Sequence, residues 1–132
     1  ASYVVTQLIK TMIKKRIQVV VAKVLVLGLS FKENCPDVRN TKVIDIVKEL
    51  KEYHIDVDIY DPWVDTHDVM HEYGVSLIDT PKQQYYDAVV LAVAHDQFKT
   101  LTQPQIAQMA KTNFVLYDLK YVLPKHVVEI RL

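Results

Sequence analysis

The sequence predicts an α/β protein with a doubly wound, parallel β-sheet preceded by an N-terminal helix. Short apolar segments of strand character alternate with segments of helical periodicity, the pattern of a parallel sheet with crossover helices. Residues 88–94 form an unbroken apolar run, as expected of a strand that is buried on both faces. The 132 residues, half of them hydrophobic, suffice for one domain with a real core.

The individual elements follow from apolar spacing and turn signals, and their order is that of a Rossmann-like fold. The predicted strands are 23–27, 56–60, 75–78, 88–94 and 114–118. The predicted helices are 2–16, 41–54, 65–73 and 103–111, with a helical turn at 81–85. Thr41 is expected to cap the helix that it begins, and Gly74 to end helix 65–73. The first helix carries a broad apolar stripe, which we expect to cover either this domain or a neighbouring one.

Composition argues against several classes of partner, although it leaves room for a local basic patch. Sixteen basic and sixteen acidic residues give no net charge, so no overall field favours nucleic acid or an anionic membrane. No run of about 18 apolar residues is present to span a bilayer. Cys35 is the only cysteine, which rules out an internal disulfide and fits the reducing conditions of the cytoplasm. We therefore expect a cytoplasmic protein that binds neither nucleic acid nor membrane.

Glycine is scarce, and its scarcity restricts the cofactor chemistry. Only Gly28 and Gly74 are present. A dinucleotide-binding first turn needs three closely spaced glycines, for the tight turn and for the approach of the pyrophosphate. The first strand therefore does not bind NAD in the usual manner.

The loop after the first strand is the strongest candidate site. Phe31, Lys32, Asp37 and Arg39 follow the strand closely, where ligands of open α/β sheets bind. A lysine can neutralise a phosphate as a point charge, and an arginine can grip one with two hydrogen bonds. The alternative is that Lys32 is a solvated surface residue and that Arg39 pairs with Asp37. Spacing alone does not decide between these hypotheses.

Other reactive side chains have simpler interpretations. Cys35 would need positive surroundings to act as a nucleophile or as a redox thiol, and a bystander role is favoured. His67 and His71 have the spacing of zinc ligands on a helix, but no third ligand is evident and a solvated face is favoured. We therefore expect no metal. His95 and Asp96 end the buried strand and face the same edge of the sheet.

Three segments carry a family resemblance that extends over essentially the whole chain. They are Gly28-Leu29-Ser30-Phe31-Lys32, Asp37-Val38-Arg39-Asn40-Thr41 and Tyr60-Asp61-Pro62. Together they resemble the C-terminal UDP-binding domain of the UDP-glucose/GDP-mannose dehydrogenase family. Residues 33–37 and 94–98 resemble most the branch that acts on UDP-N-acetylhexosamines and makes uronic acids for capsule and O-antigen polysaccharides.

The resemblance implies NAD-dependent oxidation of a sugar C6 hydroxymethyl group to a carboxylate in two hydride transfers. In the family, the nucleophilic cysteine lies in a central region and the glycine-rich NAD loop in an N-terminal domain. We therefore expect no catalytic residue in this chain, which alone should be inactive. Residues 1–22 resemble the end of the central helix on which family members dimerise, followed by a linker, and residues 23–132 the UDP-sugar-binding domain. The implied partners are a UDP-sugar, the remaining domains of the enzyme and a second subunit.

The resemblance also assigns residues by position. Phe31 and Lys32 would contact the UDP-sugar, and Arg39 would reach NAD held mainly by another domain. Lys120 stands where the family often has a substrate-contacting arginine, although a lysine cannot reproduce a guanidinium fork. The alternative function is a non-catalytic nucleotide-binding or regulatory module with the same fold.

Overall fold

The computed structural model describes residues 1–132, which form five strands, five α-helices and one short 3₁₀ helix. The strands are β1 (Lys23–Leu27), β2 (Asp56–Tyr60), β3 (Tyr86–Leu91), β4 (Ala110–Asp118) and β5 (Ile130–Arg131). The helices are α1 (Ser2–Lys14), α2 (Val43–Glu52), α3 (Thr66–Tyr73), α4 (Asp96–Lys99) and α5 (Gln103–Met109), and the 3₁₀ helix is Lys125–Val127. None of the helices combines the length and apolar character needed to cross a membrane.

The sheet is parallel throughout, with strand order β2-β1-β3-β4-β5. Alternate side chains of each strand enter one of two apolar clusters, one on each face. Val24 and Val26 of β1 pack in the larger cluster with α1 and α2, whereas Leu25 and Leu27 pack in the smaller one with α5. Helices therefore cover both faces, and the predicted doubly wound fold is confirmed.

Helix α1 folds back on this domain. Its apolar stripe of Val4, Val5, Leu8 and Met12 is buried in the larger cluster. Its N-terminal end is attached as well, because Ser2 Oγ donates a hydrogen bond to Glu49 at 2.9 Å. The stripe was expected to cover either this domain or a neighbouring one, and in the structure it covers this domain. The domain boundary after residue 22 stays a prediction.

Two predicted elements are wrong. Residues 75–78 are not a strand, since only the Ile78 N–H reaches β2, at 2.9 Å from Ile59 O, while the apolar side chains of the segment pack on the core. Residues 81–85 are not a helical turn. Gln84 has a φ of 50°, and its N–H, like that of Tyr85, donates to the end of α5. In both segments, backbone N–H groups donate to residues that are distant in sequence, which local patterns do not predict.

Smaller differences concern element ends. The predicted helix at 41 begins at Val43, although Thr41 Oγ1 accepts a hydrogen bond from the Val43 N–H at 3.2 Å. Strand β3 starts and ends earlier than predicted, and β4 starts at Ala110 rather than at 114. Strand β5 was not predicted, because its two residues become a strand only by pairing with β4. Helix α3 begins after Asp65 and ends at the left-handed Gly74, as predicted.

Candidate functional site

The strand order creates a crevice between β1 and β3. From β1 the chain proceeds to β2 on one side, and from β3 it proceeds to β4 on the other. The loops that follow β1 and β3 therefore diverge at the carboxyl edge of the sheet. A switch point of this kind is where open α/β sheets bind their ligands.

Gly28 permits the two loops to cross closely. Its φ is +100°, a conformation that side chains with a Cβ rarely adopt, and its N–H donates to Tyr60 O at 2.8 Å. A Cβ added there would lie 2.6 Å from Val93 Cβ. The N–H of Ala92 donates to Leu27 O at 2.9 Å, which holds the extension of β3 beside the end of β1. Glycine is thus required at this position by backbone conformation and by space.

A cleft of about 370 Å³ opens at the switch point. Loops after β1, β3 and β4 and the start of α2 line it. The lining residues are Ser30, Phe31, Lys32, Glu33, Asn40, Thr41, Lys42, Val43, Ala92, Val93, Ala94 and Lys120. The structure thus brings Phe31, Lys32 and Lys120, the three predicted substrate residues, to one cleft. Phe31 is 56% exposed, so its ring is free to pack against a ligand.

The charge of the cleft suits an anionic ligand. Lys32, Lys42 and Lys120 all line it, and none of the three forms an ion pair within the chain. Glu33 is the one acidic residue of the lining, and Lys99 lies 3.9 Å from its carboxylate. Sequence reasoning missed Lys42. Its position beside Thr41, the predicted first residue of the helix that follows this loop, could have indicated it.

The loop that carries Phe31 and Lys32 is closed on itself. The Phe31 N–H donates to Asp37 O at 2.7 Å, and Ser30 Oγ donates to Lys32 O at 2.9 Å. Both bonds fold residues 30–37 into a compact turn above the end of β1. The backbone around the predicted substrate residues is therefore fixed before any ligand binds.

Two buried aspartates hold the loops of the cleft. Asp118, at the end of β4, accepts hydrogen bonds from the Lys120 N–H at 3.0 Å and the Leu123 N–H at 2.9 Å. Asp61, directly after β2, accepts from the N–H groups of Leu29 at 2.7 Å and Ser30 at 3.0 Å. Sequence reasoning did not assign either as a site-building residue, although Asp61 belongs to the Tyr60-Asp61-Pro62 segment quoted above.

The Asp61 carboxylate is held in its charged form. Burial by itself would raise the pKa of this group. Hydrogen bonds from His95 and from the N–H groups of Leu29, Ser30 and Trp63 outweigh that effect, so the pKa lies below its usual value. A carboxylate that is charged at neutral pH thus holds the first residues of the loop after β1 in place.

Arg39 lies outside the cleft. Its guanidinium pairs with Asp37 through two contacts of 3.1 Å, which lowers the pKa of that carboxyl, and its side chain is 76% exposed. It borders a separate surface groove that also contains Asp68, His71 and Glu72. The pairing proposed as the simpler interpretation of Arg39 is therefore present. The assignment of Arg39 to NAD stays a prediction.

The remaining candidates are dispersed. Cys35 is half-buried, and its Sγ lies 3.5 Å from the Asp37 N–H. His67 and His71 are on the exposed face of α3. His95 is buried behind the cleft and does not line it. None of these side chains joins the three lysines.

A parallel sheet whose switch-point cleft carries unpaired lysines is typical of an α/β domain with a cleft for an anionic ligand. The family model described as "UDP-glucose/GDP-mannose dehydrogenase family, UDP binding domain" matches residues 25–125. The chain belongs to this family. The predicted resemblance is thereby confirmed.

Individual relatives agree with the family assignment. The chain is 54% identical over 131 residues to UDP-N-acetyl-D-glucosamine 6-dehydrogenase of Pseudomonas aeruginosa, covering 99% of this chain and 31% of the relative. It is 53% identical to the enzyme of the same name from Salmonella typhi, with the same coverage. The solved structure of UDP-D-ManNAc dehydrogenase from Pyrococcus horikoshii shares the fold, with a TM-score of 0.78 at 22% identity over 98% of this chain and 29% of that one. The chain thus spans about a third of these proteins.

Proposed function

We propose that this chain is the nucleotide-sugar-binding domain of an NAD-dependent UDP-sugar 6-dehydrogenase, which oxidises a sugar C6 hydroxymethyl group to a carboxylate. The single observation that carries the proposal is the cleft with Lys32, Lys42 and Lys120, whose charges no acidic partner in the chain neutralises. A diphosphate supplies the negative charge that such a cleft lacks, and Phe31 offers an apolar face to the base or sugar. Family membership supports uridine diphosphate as the ligand.

The substrate that we propose is a UDP-N-acetylhexosamine. Support comes from the two relatives that are more than half identical over 99% of the chain, both named UDP-N-acetyl-D-glucosamine 6-dehydrogenase. The residues of this chain would bind and orient the nucleotide end of the substrate. They would leave the sugar to project from the cleft toward the rest of the enzyme.

The proposed NAD site lies mainly in another domain. NAD bound there would supply the acceptor for the hydride. With two glycines, this chain has no dinucleotide-binding turn of its own. Arg39 fits a contact across a domain boundary, because its guanidinium is exposed and lies outside the cleft. We assign it to that contact.

The proposal also covers the assembly of the enzyme from two subunits and its location in the cell. Residues 1–22 would join the domain to a central helical region on which two subunits dimerise. We place the enzyme in the cytoplasm, which fits a chain whose single cysteine forms no disulfide.

Calorimetric titration tests the binding site directly. The chain is titrated with UDP, GDP, UDP-N-acetylglucosamine and UDP-N-acetylgalactosamine. We expect UDP and its sugars to bind and GDP to bind more weakly. Lys32→Ala, Lys42→Ala and Lys120→Ala should each weaken UDP binding about tenfold, as expected for the loss of one charge-assisted hydrogen bond. Lys48→Ala is the matched control, since Lys48 is an exposed lysine of α2 outside the cleft.

The outcomes separate the candidate functions. Equal binding of all nucleotides, or cleft variants that behave like Lys48→Ala, would contradict the site. Oxidation is tested with the full-length protein, NAD and each UDP-sugar by following NADH. UDP binding without NADH formation by that protein would favour the non-catalytic binding module over the dehydrogenase.

A further inference from the structure

We propose that His95 is a positioning residue for nucleotide binding, holding the loop of Phe31 and Lys32 in its binding conformation through a neutral imidazole with the proton on Nε2. The identity of the ligand as a nucleotide rests on the function proposed above. The role of His95 in ordering the loop is independent of that proposal.

His95 is fully buried and joins three segments of the carboxyl edge. Its Nε2 lies 3.0 Å from Asp61 Oδ2, after β2, and 3.1 Å from Ser30 Oγ, after β1. Its Nδ1 lies 2.8 Å from the backbone nitrogen of Asn34, further along the same loop. The residue itself follows the extension of β3. One imidazole thus connects the loop with the ends of two strands.

The partners determine where the imidazole proton lies. A backbone N–H can only donate, so Nδ1 must accept the hydrogen bond from Asn34 and carries no proton. Asp61 is a charged acceptor, and Ser30 Oγ gives its own proton to Lys32 O. Both groups near Nε2 therefore accept, and Nε2 carries the proton. A proton on Nδ1 would oppose the Asn34 N–H and break that bond.

The contacts lie on either side of the predicted substrate residues. Ser30 precedes Phe31 and Lys32, and Asn34 follows them after one further residue. Asn34 Oδ1 also accepts a hydrogen bond from the Asp96 N–H at 3.0 Å, which secures the far side of the turn. His95 consequently fixes both ends of the segment whose side chains face the cleft.

The surroundings of His95 keep water from replacing its bonds. The rings of Trp63 and Phe98 lie 6.1 and 5.5 Å from the imidazole centre, and the His95 side chain is 0% exposed. The Asn34 N–H is only partly buried, but it points at the buried ring, so without the Nδ1 acceptor it is left unpaired until the loop moves. Removing the Nδ1 acceptor should therefore loosen residues 31–37 first.

The test compares two variants by NMR hydrogen exchange and by calorimetry. His95→Gln retains an amide N–H that can reach Asp61, but it removes the acceptor for the Asn34 N–H. Val90→Ala is the control, since it removes buried volume from β3 without touching the loop. We expect His95→Gln to speed exchange of the Asn34 amide about tenfold and to weaken UDP binding by a similar factor, as for the loss of one hydrogen bond. Val90→Ala should lower stability while leaving both quantities unchanged.

The protonation of the wild-type ring gives a second readout that needs no variant to fold. Nitrogen-15 spectra of the His95 ring should show a protonated Nε2 and an unprotonated Nδ1 at neutral pH. A protonated Nδ1 would overturn the proposal, and so would loop exchange in His95→Gln that matches Val90→Ala. Failure of the wild-type chain to bind UDP would contradict the proposed function instead, because the exchange and ring measurements remain valid without ligand.

Discussion

Gly28 shows how a single residue without a side chain shapes the cleft. Replacing it with alanine forces a Cβ into a backbone with φ of +100° and to within 2.6 Å of Val93 Cβ. The conformational cost is about 1–2 kcal/mol and overpacking adds about 1–3 kcal/mol. We therefore expect Gly28→Ala to lower the free energy of unfolding by about 2–5 kcal/mol in urea denaturation.

Gly74→Ala is the matched control for this prediction. Gly74 also has a positive φ, of 69°, but nothing lies within 4 Å of an added Cβ. Only the conformational cost of about 1–2 kcal/mol should remain. Equal effects of the two substitutions would mean that contact with Val93 does not matter, contrary to the crossing described at the switch point.

At the same scale, the sequence predicts which residues meet at the cleft where position after a strand decides their location. Phe31, Lys32 and Lys120 follow strand ends, and parallel strands bring their ends to one edge. Position after a strand does not predict the direction in which a side chain points. Arg39 follows the same strand as Lys32 but turns toward Asp37, two residues away, because a close carboxylate offers it two hydrogen bonds.

Among the elements, α1 decides how far the domain extends. Leu8 is 1% exposed against the larger cluster, whereas Ile13 on the same helix is 60% exposed. We expect Leu8→Ala to cost about 2–5 kcal/mol of unfolding free energy, as for other large apolar residues removed from a core. Ile13→Ala is the control and should change stability by less than about 0.5 kcal/mol. Thermal or urea unfolding of both variants measures the difference.

A Leu8→Ala variant as stable as Ile13→Ala would show that α1 does not belong to the cooperative unit. The helix would then be an appendage from the region before residue 23, as one of the two sequence interpretations allowed. A large loss of stability in Leu8→Ala would instead show that α1 unfolds together with the UDP-binding domain on which it packs.

Elements were predictable where local periodicity and tertiary contacts agree. Strand β1 and helix α3 have clear spacing and end signals, and both formed as expected. Residues 75–78 have apolar side chains that satisfy a strand pattern, but the same side chains pack on the core with one bond to β2. Strand β5 shows the reverse case, in which the sequence has no strand pattern. Its two residues form a strand only because they pair with β4.

At the scale of the whole molecule, each of the two apolar clusters contains one fully buried tyrosine, and the two tyrosines differ in hydrogen bonding. Tyr86 donates a hydrogen bond to Asp58 at 2.6 Å, whereas the buried Tyr117 hydroxyl has no partner. Burial raises the pKa of both, and the bond to the Asp58 carboxylate raises that of Tyr86 further. At neutral pH, Tyr86→Phe should cost about 1–3 kcal/mol, because a charge-assisted bond is lost. Tyr117→Phe removes an unsatisfied group and should be neutral or stabilising.

The same two tyrosines are expected to contribute to the pH dependence of stability in alkali. A folded pKa above the unfolded value of about 10 means that the folded chain holds its proton more tightly. The stability from this difference is complete below about pH 10 and is lost as pH rises toward the folded pKa values. Urea unfolding should therefore show the same pH dependence in wild type and Tyr86→Phe up to about pH 10, and between about pH 10 and 12 a steeper decline in wild type than in Tyr86→Phe. Tyr53→Phe, at a 43% exposed site, should follow wild type. A decline of equal slope in all three proteins would assign alkaline unfolding to groups other than the buried tyrosines.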